Sequence, residues 1–393
     1  MNDGRALYPC FGCGGARVAA HTEFPNLDTM TASMLPRVAA SLCEDCGLVQ
    51  QNPCVTQEKM NEIYATFEDK VTVENLEHSA TELEGRSRLA ALQKLVPAPA
   101  TLLEIGCSDG TFLTLARDAG YDVCGVDPSE ANIAKAKARK PPLNVAAGFA
   151  DKAPAGRKFD VVCHFYVLEH TFDPVAFLKD LRSRLKDGGT MFFEVPDVAR
   201  FASLPFANFL FPYQHTIHLS PATAAGLLAR AGLEMIPLGD SPGSKSYGTR
   251  FAARAVAKAA APKPDTAASR KQLDAYFGRR GAILDGMRAS VKKWAAQAKG
   301  RPGPCVIFGA GENGRVLLGE TELEKLFTDI RFTDNNSALH GRIVDGLPVV
   351  APKELGALKP ALVIAASIDY QDDMARQAAS LGVPPDRIVK LYA

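Results

Sequence analysis

Four cysteines come in two pairs, Cys10-Phe-Gly-Cys13 and Cys43-Glu-Asp-Cys46. Two such knuckles joined by a long loop bring four thiolates to one ion, and an all-thiolate shell closes a tetrahedron on zinc. A closed shell has no place for a substrate, so the metal's role is structural. It contributes folding energy to a segment too small for a core of its own. The alternative, two reactive dithiols, lacks the strand-turn-helix setting such pairs use. A second constellation, Leu103-Glu-Ile-Gly-Cys-Ser-Asp-Gly110, is a glycine-rich loop of the kind that cradles a nucleoside-bearing cofactor. A third is a set of imidazoles. His170 ends Tyr166-Val-Leu-Glu-His170, and His215 and His218 lie in Phe211-Pro-Tyr-Gln-His-Thr-Ile-His-Leu-Ser220. Imidazole titrates near neutral pH, so three converging on one cleft suit a general base. Their plainer uses are a helix cap at His170 and a structural or metal-binding His215/His218 pair.

Those groups need a scaffold. Apolar runs at 102–105, 121–127, 159–165 and 190–195 read as strands, with helical patterns at 111–119, 129–139 and 173–185 between them. That alternation predicts an α/β, Rossmann-like doubly wound sheet, whose carboxyl edge gathers ligands. The glycine loop, His170 and the 211–220 segment are all expected at that edge. Residues 56–95 read as helical, starting from a cap at Thr56 and running through Tyr64. A polar helical connector holding the only tryptophan, Trp294, is broken by Arg301-Pro-Gly-Pro304. A second Rossmann-like α/β unit follows, with strands at 305–308, 330–334, 347–350 and 361–366. The expected organisation is a zinc ribbon at 1–55, a central domain with N-terminal helices at 56–260, a connector at 261–303 and a C-terminal α/β domain at 304–393.

Bulk numbers narrow the classes. The chain has 393 residues, enough for two or three domains. Its 47% apolar content and mean hydropathy of -0.05 fit a soluble globular protein. With 45 basic and 44 acidic residues the formal charge is +1. Nucleic acid and anionic membranes are therefore poor candidates for the main partner. No run approaches the roughly 20 apolar residues of a membrane helix. The cytoplasm is the default expectation, and there the nine cysteines are not a disulfide framework.

The loop at Glu104-Ile-Gly106 to Gly110 resembles the first motif of class I S-adenosylmethionine-dependent methyltransferases. Ser108 stands where many relatives have Gly. The resemblance implies that Glu104, Gly106, Cys107, Ser108, Gly110 and Phe112 surround the amino-acid end of the cofactor. Asp127, about twenty residues on, has the spacing of a ribose-binding acid, with Pro128 beside it. Phe149 is placed to stack on adenine, and His164 and Phe165 end the fourth strand at the cofactor edge. The spacing is Gly-x-x-x-Gly, which argues against nicotinamide dinucleotides at this loop.

Taken in order, the zinc ribbon, the Tyr64 helix, the methyltransferase segment and the last α/β unit resemble the deoxysugar C-methyltransferases. The terminal stretches Ile307-Phe-Gly-Ala-Gly-Glu-Asn-Gly314, Asp334-Asn-Asn, His340-Gly and Leu347-Pro-Val-Val are similar in detail. The resemblance implies a nucleotide-linked 4-keto sugar as acceptor, a histidine that removes the proton beside the ketone, and S-adenosylmethionine as donor. It assigns catalytic positions to Tyr64, His170, Tyr213 and His215. There are departures: Gln214 replaces the family's Glu, His218 replaces a Tyr, and Thr66 and Phe67 replace tyrosines. Gln214 cannot charge or orient an imidazole as a carboxylate does, so O- or N-methylation of a sugar or small natural product stays open. A nucleic-acid methyltransferase read by the ribbon would want basic residues with interleaved aromatics there, and Arg5, Arg17 and Arg37 form no cluster. The loop Gly309-Ala-Gly-Glu-Asn-Gly314 fits the dinucleotide pattern with Asp334 as the acid. In the family context it handles the nucleotide half of the sugar or packs internally, with NAD-dependent oxidoreduction as the rival.

Overall fold

The computed structural model describes residues 4–25, 37–60, 62, 78–204, 210–239, 241–243, 245 and 247–392. Two compact units divide within the long helix Thr266–Ala298, between Leu273 and Asp274. The cysteine module and the α/β segment after it belong to one unit.

The module is built from short antiparallel strands. β1 (Arg5–Ala6) pairs with β5 (Cys54–Val55), while β2 (Val18–Pro25), β3 (Arg37–Cys43) and β4 (Val49–Gln50) form a meander. From Val38 to Cys43, β3 is buried on both faces. Thr56 caps the next turn by accepting the Lys59 amide at 3.1 Å. Tyr64, Thr66 and Phe67 lie outside the described residues.

The main sheet takes β6 (Thr101–Ile105), β7 (Asp122–Asp127), β8 (Asn144–Ala147), β9 (Phe159–Phe165) and β10 (Leu185–Pro196) as parallel neighbours. Parallel pairing requires crossovers, which the helices Thr111–Asp118, Glu130–Ala138 and Pro174–Ser183 supply. After β10 come β11 (Ile217–His218), β12 (Leu233–Ile236) and β13 (Gly248–Ala255). The seven-stranded order is β12-β13-β10-β9-β6-β7-β8, with β13 antiparallel to both neighbours. Neither β12 nor β13 is among the strands expected from the apolar runs.

Helices cover both faces, so the central strands are apolar almost throughout. Leu103, Ile105, Val162 and Phe193 pack with Leu178 and Leu181 on one side. Leu102, Cys163, Phe165 and Phe192 pack with Phe112 and Leu113 on the other. Each such side chain contributes roughly 1.5–3 kcal/mol on burial. The two layers therefore hold the strand ends rigidly, and the functional loops leave from fixed points. β11 does not join this sheet. It pairs antiparallel with β4, Ile217 against Gln50 and His218 against Val49, and so completes the module's own sheet.

The second unit holds β14 (Cys305–Phe308), β15 (Ile330–Thr333), β16 (Ile343–Val344), β17 (Leu347–Val350), β18 (Leu362–Ala365) and β19 (Ile388–Lys390). They run β16-β17-β15-β14-β18-β19, parallel except for β16 with β17. Among the described residues no helix is long and apolar enough to cross a membrane.

Candidate functional site

The glycine loop leaves β6 at Glu104–Ile105 and enters the helix at Thr111. Gly106 (φ +77°) and Gly110 (φ +76°) both take left-handed backbone, and a Cβ on Gly106 would come 2.6 Å from Val167 Cγ2. Ser108 also has positive φ, +47°, so it holds the conformation for which glycine is the unstrained choice. Asp127 fastens the loop. Its Oδ2 accepts the Ser108 amide at 2.8 Å and its Oδ1 the Ser129 amide at 2.9 Å. A carboxylate offers about four lone-pair sites, so each oxygen keeps capacity for a ribose hydroxyl. Glu104 is buried, and its Oε2 has no hydrogen-bond partner among the described residues. Burial pushes its carboxyl up to about 8, and the nearby Arg88 guanidinium opposes this. An orphaned buried carboxyl oxygen at the foot of the loop fits a ligand that brings a cationic donor. Glu104 and Asp127 thus fit the cofactor that the loop's resemblance implies.

The other predicted cofactor residues divide. Pro128 is exposed beside Asp127, and Phe149 is 73% exposed in the turn that the Gly148 amide ties to Asp127 O at 2.9 Å. Cys107, within the loop, and Phe112 and Phe165 beneath it are core residues, with Phe112 and Phe165 edge-to-face at 4.9 Å. His164 is not at the cofactor edge. Alternation along β9 turns Cys163 and Phe165 toward Phe112, and His164 the other way. Its imidazole is fully buried, stacked on Phe193 at 4.8 Å, and burial drives its pKa down to about 3.

Val167, which packs over Gly106, opens the short helical turn Leu168–His170, so the imidazole centre shares the loop's edge. His170 and His215 meet edge-to-face at 4.8 Å, and His170 Nδ1 lies 3.2 Å from Gln214 O. Glu169 joins them. One ligating atom each from Glu169, His170 and His215 all fall within 4.8 Å of one another. Glu169 is 1% exposed, and neither carboxyl oxygen has a hydrogen-bond partner among the described residues. Burial raises its carboxyl to about 8, offset in part by the Lys245 charge. Burial lowers His170 to about 4 and takes His215 well below its ordinary range. Burial thus favours the neutral form of both imidazoles and disfavours the imidazolium. His218 is nearly inaccessible, 4.0 Å from the Phe211 ring centroid, with its pKa pushed down to about 3 by burial. Tyr213 is also completely buried. Sequence reasoning passed over Glu169, although it directly precedes His170. It also missed the buried Glu194, which accepts from Arg88 Nε at 3.0 Å and Arg250 Nε at 2.6 Å. Nearby Tyr166 holds φ +58°, a strained value for a bulky residue at a site edge.

In the module, Cys10, Cys13, Cys43 and Cys46 place their sulfurs within 4.8 Å of one another. Cys10 and Cys46 are 3.5 Å apart, and Cys13 and Cys43 3.6 Å. A tetrahedron with zinc–sulfur bonds of about 2.3 Å has edges of about 3.8 Å, so the set matches a four-thiolate zinc shell. In the second unit, Asp334 repeats the Asp127 device: Oδ2 accepts the Ala310 amide and Oδ1 the Asn336 amide, both at 2.8 Å.

Residues 77–238 match the family model described as a methyltransferase domain, and residues 303–389 match one described as C2185-like, N-terminal. A Mycolicibacterium smegmatis protein named "Probable S-adenosylmethionine-dependent methyltransferase" is 31% identical over 138 residues, 34% of this chain and 52% of that protein. A ubiquinone biosynthesis O-methyltransferase of Cereibacter sphaeroides is 37% identical over 95 residues, 23% of this chain and 38% of that protein. The chain thus spans about half or less of the length of these relatives. Among solved structures, the CcbJ methyltransferase from Streptomyces caelestis shares 21% identity, covering 44% of this chain and 90% of that one, with a TM-score of 0.37. Streptomyces venezuelae DesVI shares 18%, covering 50% and 98%, also at 0.37. Residues 77–238 thus carry a methyltransferase domain.

Proposed function

We propose that the protein is an S-adenosylmethionine-dependent methyltransferase that modifies a nucleotide-linked 4-keto deoxysugar at carbon, with a structural zinc in its cysteine module. The observation that carries this reading is the Glu169–His170–His215 centre, set on the same edge as the Gly106 loop. When bound, S-adenosylmethionine supplies an electrophilic methyl group, whose transfer breaks the sulfur–methyl bond and leaves S-adenosylhomocysteine. Glu104 would hold the ammonium of that cofactor, and Asp127 its ribose. His215 takes the proton from the carbon beside the acceptor's ketone, and the electron pair left behind forms the new carbon–methyl bond. The step starts from neutral imidazole, the form burial favours at His215, and the imidazolium it yields needs a partner to offset the same burial. Glu169, beside both imidazoles, supplies the carboxyl that Gln214 cannot; burial favours its protonated form, so it stabilises the imidazolium only when ionised.

Methylation of a hydroxyl is the second reading. Gln214 and His218 depart from the carbon-methylating pattern, and a relative 37% identical over 95 residues is named an O-methyltransferase. The test is incubation with methyl-labelled cofactor and a panel of nucleoside-diphosphate 4-keto deoxysugars, sugars and phenols, followed by mass spectrometry and carbon NMR. A new C–CH3 resonance on a keto sugar supports the first reading, and an O–CH3 resonance supports the second. No labelled product from any acceptor would refute both.

A further inference from the structure

The cysteine module reads at first as a self-contained staple, yet one of its side chains is spent outside it. Successive side chains on a strand point to opposite sides. Gln50 and Asn52 turn into the module: Gln50 Oε1 accepts the Phe11 amide at 3.0 Å, and Asn52 Oδ1 accepts the Tyr8 amide at 2.9 Å. Gln51, between them, turns the other way. It is 2% exposed, and its Nε2 donates to Pro212 O at 2.7 Å and to His215 O at 2.8 Å. Its backbone amide donates to Thr216 O at 2.9 Å. Those acceptors bracket the turn closed by the His215 amide on Pro212 O at 3.0 Å. Thr216 carries the connection onward, its amide donating to Glu169 O at 2.8 Å and its hydroxyl to Thr171 O at 2.6 Å. β11 then pairs with β4 directly. None of these bonds is needed by the thiolate shell or by the β2–β4 meander.

We propose that the module is a working part of the acceptor site and that Gln51 is its positioning residue, fixing the backbone of His215 against Glu169. This rests on the reading of His215 as the proton acceptor. Both amide hydrogens of Gln51 fall on carbonyls three residues apart, so the side chain sets the turn's position and its tilt together. A displacement of about 1 Å at a reacting group costs on the order of 100-fold in rate.

The test compares the full-length protein with Gln51→Met, which keeps length but has no donor, and with Gln51→Glu, which faces two carbonyls with an acceptor. Four readouts are taken: bound zinc, S-adenosylhomocysteine affinity by calorimetry, turnover of a nucleoside-diphosphate 4-keto deoxysugar, and the rate of diethyl pyrocarbonate modification of His215 mapped by mass spectrometry, with His340 as internal reference. The expected result is unchanged zinc and cofactor affinity, kcat lowered roughly 10- to 100-fold with KM little changed, and a several-fold altered modification rate at His215 alone. Unaltered His215 reactivity with unaltered kcat would overturn the proposal. Loss of zinc in both variants would assign Gln51 to the module's own fold and overturn it equally. The modification readout needs no acceptor. A changed His215 rate in a protein that methylates nothing in the panel would sink the proposed reaction and leave the positioning role standing.

Discussion

Replacing Asp127 by Ala separates two jobs that one carboxylate performs. In the structure each oxygen accepts a backbone amide, from Ser108 at 2.8 Å and Ser129 at 2.9 Å, with the residue 8% exposed. Hydrogen bonds to a charged acceptor contribute about 1.5–3 kcal/mol each when made. Part of that returns once water reaches the freed amides, so a stability loss of about 2–3 kcal/mol is expected. The remaining lone pairs are assigned to two ribose hydroxyls. Losing them weakens cofactor binding by about 2–3 kcal/mol, or roughly 30- to 150-fold. Calorimetry with S-adenosylhomocysteine gives the second quantity and urea unfolding the first. Asp127→Asn, which keeps one acceptor oxygen, should fall between on both axes. Reduced stability with unchanged affinity would show that Asp127 only staples the loop, and the ribose assignment would be wrong.

Other consequences are equally open to measurement. His215→Asn should leave cofactor affinity intact and cut turnover by roughly 10²–10⁴; normal turnover in that variant would move the proton to His170. Glu169 has its folded pKa raised to about 8 by burial, so its contribution to stability is full below the unfolded value and is lost as pH rises through 8. Glu169→Gln should therefore flatten the fall in stability between about pH 4.5 and 8 while lowering turnover, as melting curves across that range would show. Cys43→Ser should remove the single zinc found by elemental analysis and melt the module, because metal binding supplies its folding energy; retained zinc would point to another ligand set. Arg88→Met strands the fully buried Glu194 with one partner fewer and should cost about 3 kcal/mol in unfolding free energy.

The fold was legible where periodicity is strong. The runs at 102–105, 121–127 and 159–165 have one reading each, because both-face burial leaves them apolar and glycines or caps bound them. β12 and β13 were not legible: Arg250 and Arg254 interrupt β13, and their charges are balanced by Glu194 and Glu234 across the sheet, which only the fold reveals. His164 shows a different limit. Its place at a strand end could be read, but the face to which it points depends on register, and a shift of one position separates a ligand contact from a core imidazole. Glu169 sits beside His170 in plain view, but polar residues after a strand are usually solvated, and its burial comes from a segment more than forty positions away. The Gln51 contacts span 161 and 164 positions and leave no local trace in the chain.

The most direct trial is a crystal structure with S-adenosylhomocysteine bound. It should show the amino-acid end over Gly106 with its ammonium at Glu104, both ribose hydroxyls on Asp127, and the sulfur turned toward His170 and His215. A ligand seated elsewhere, or a sulfur pointing away from those imidazoles, would contradict the proposed reaction at its root.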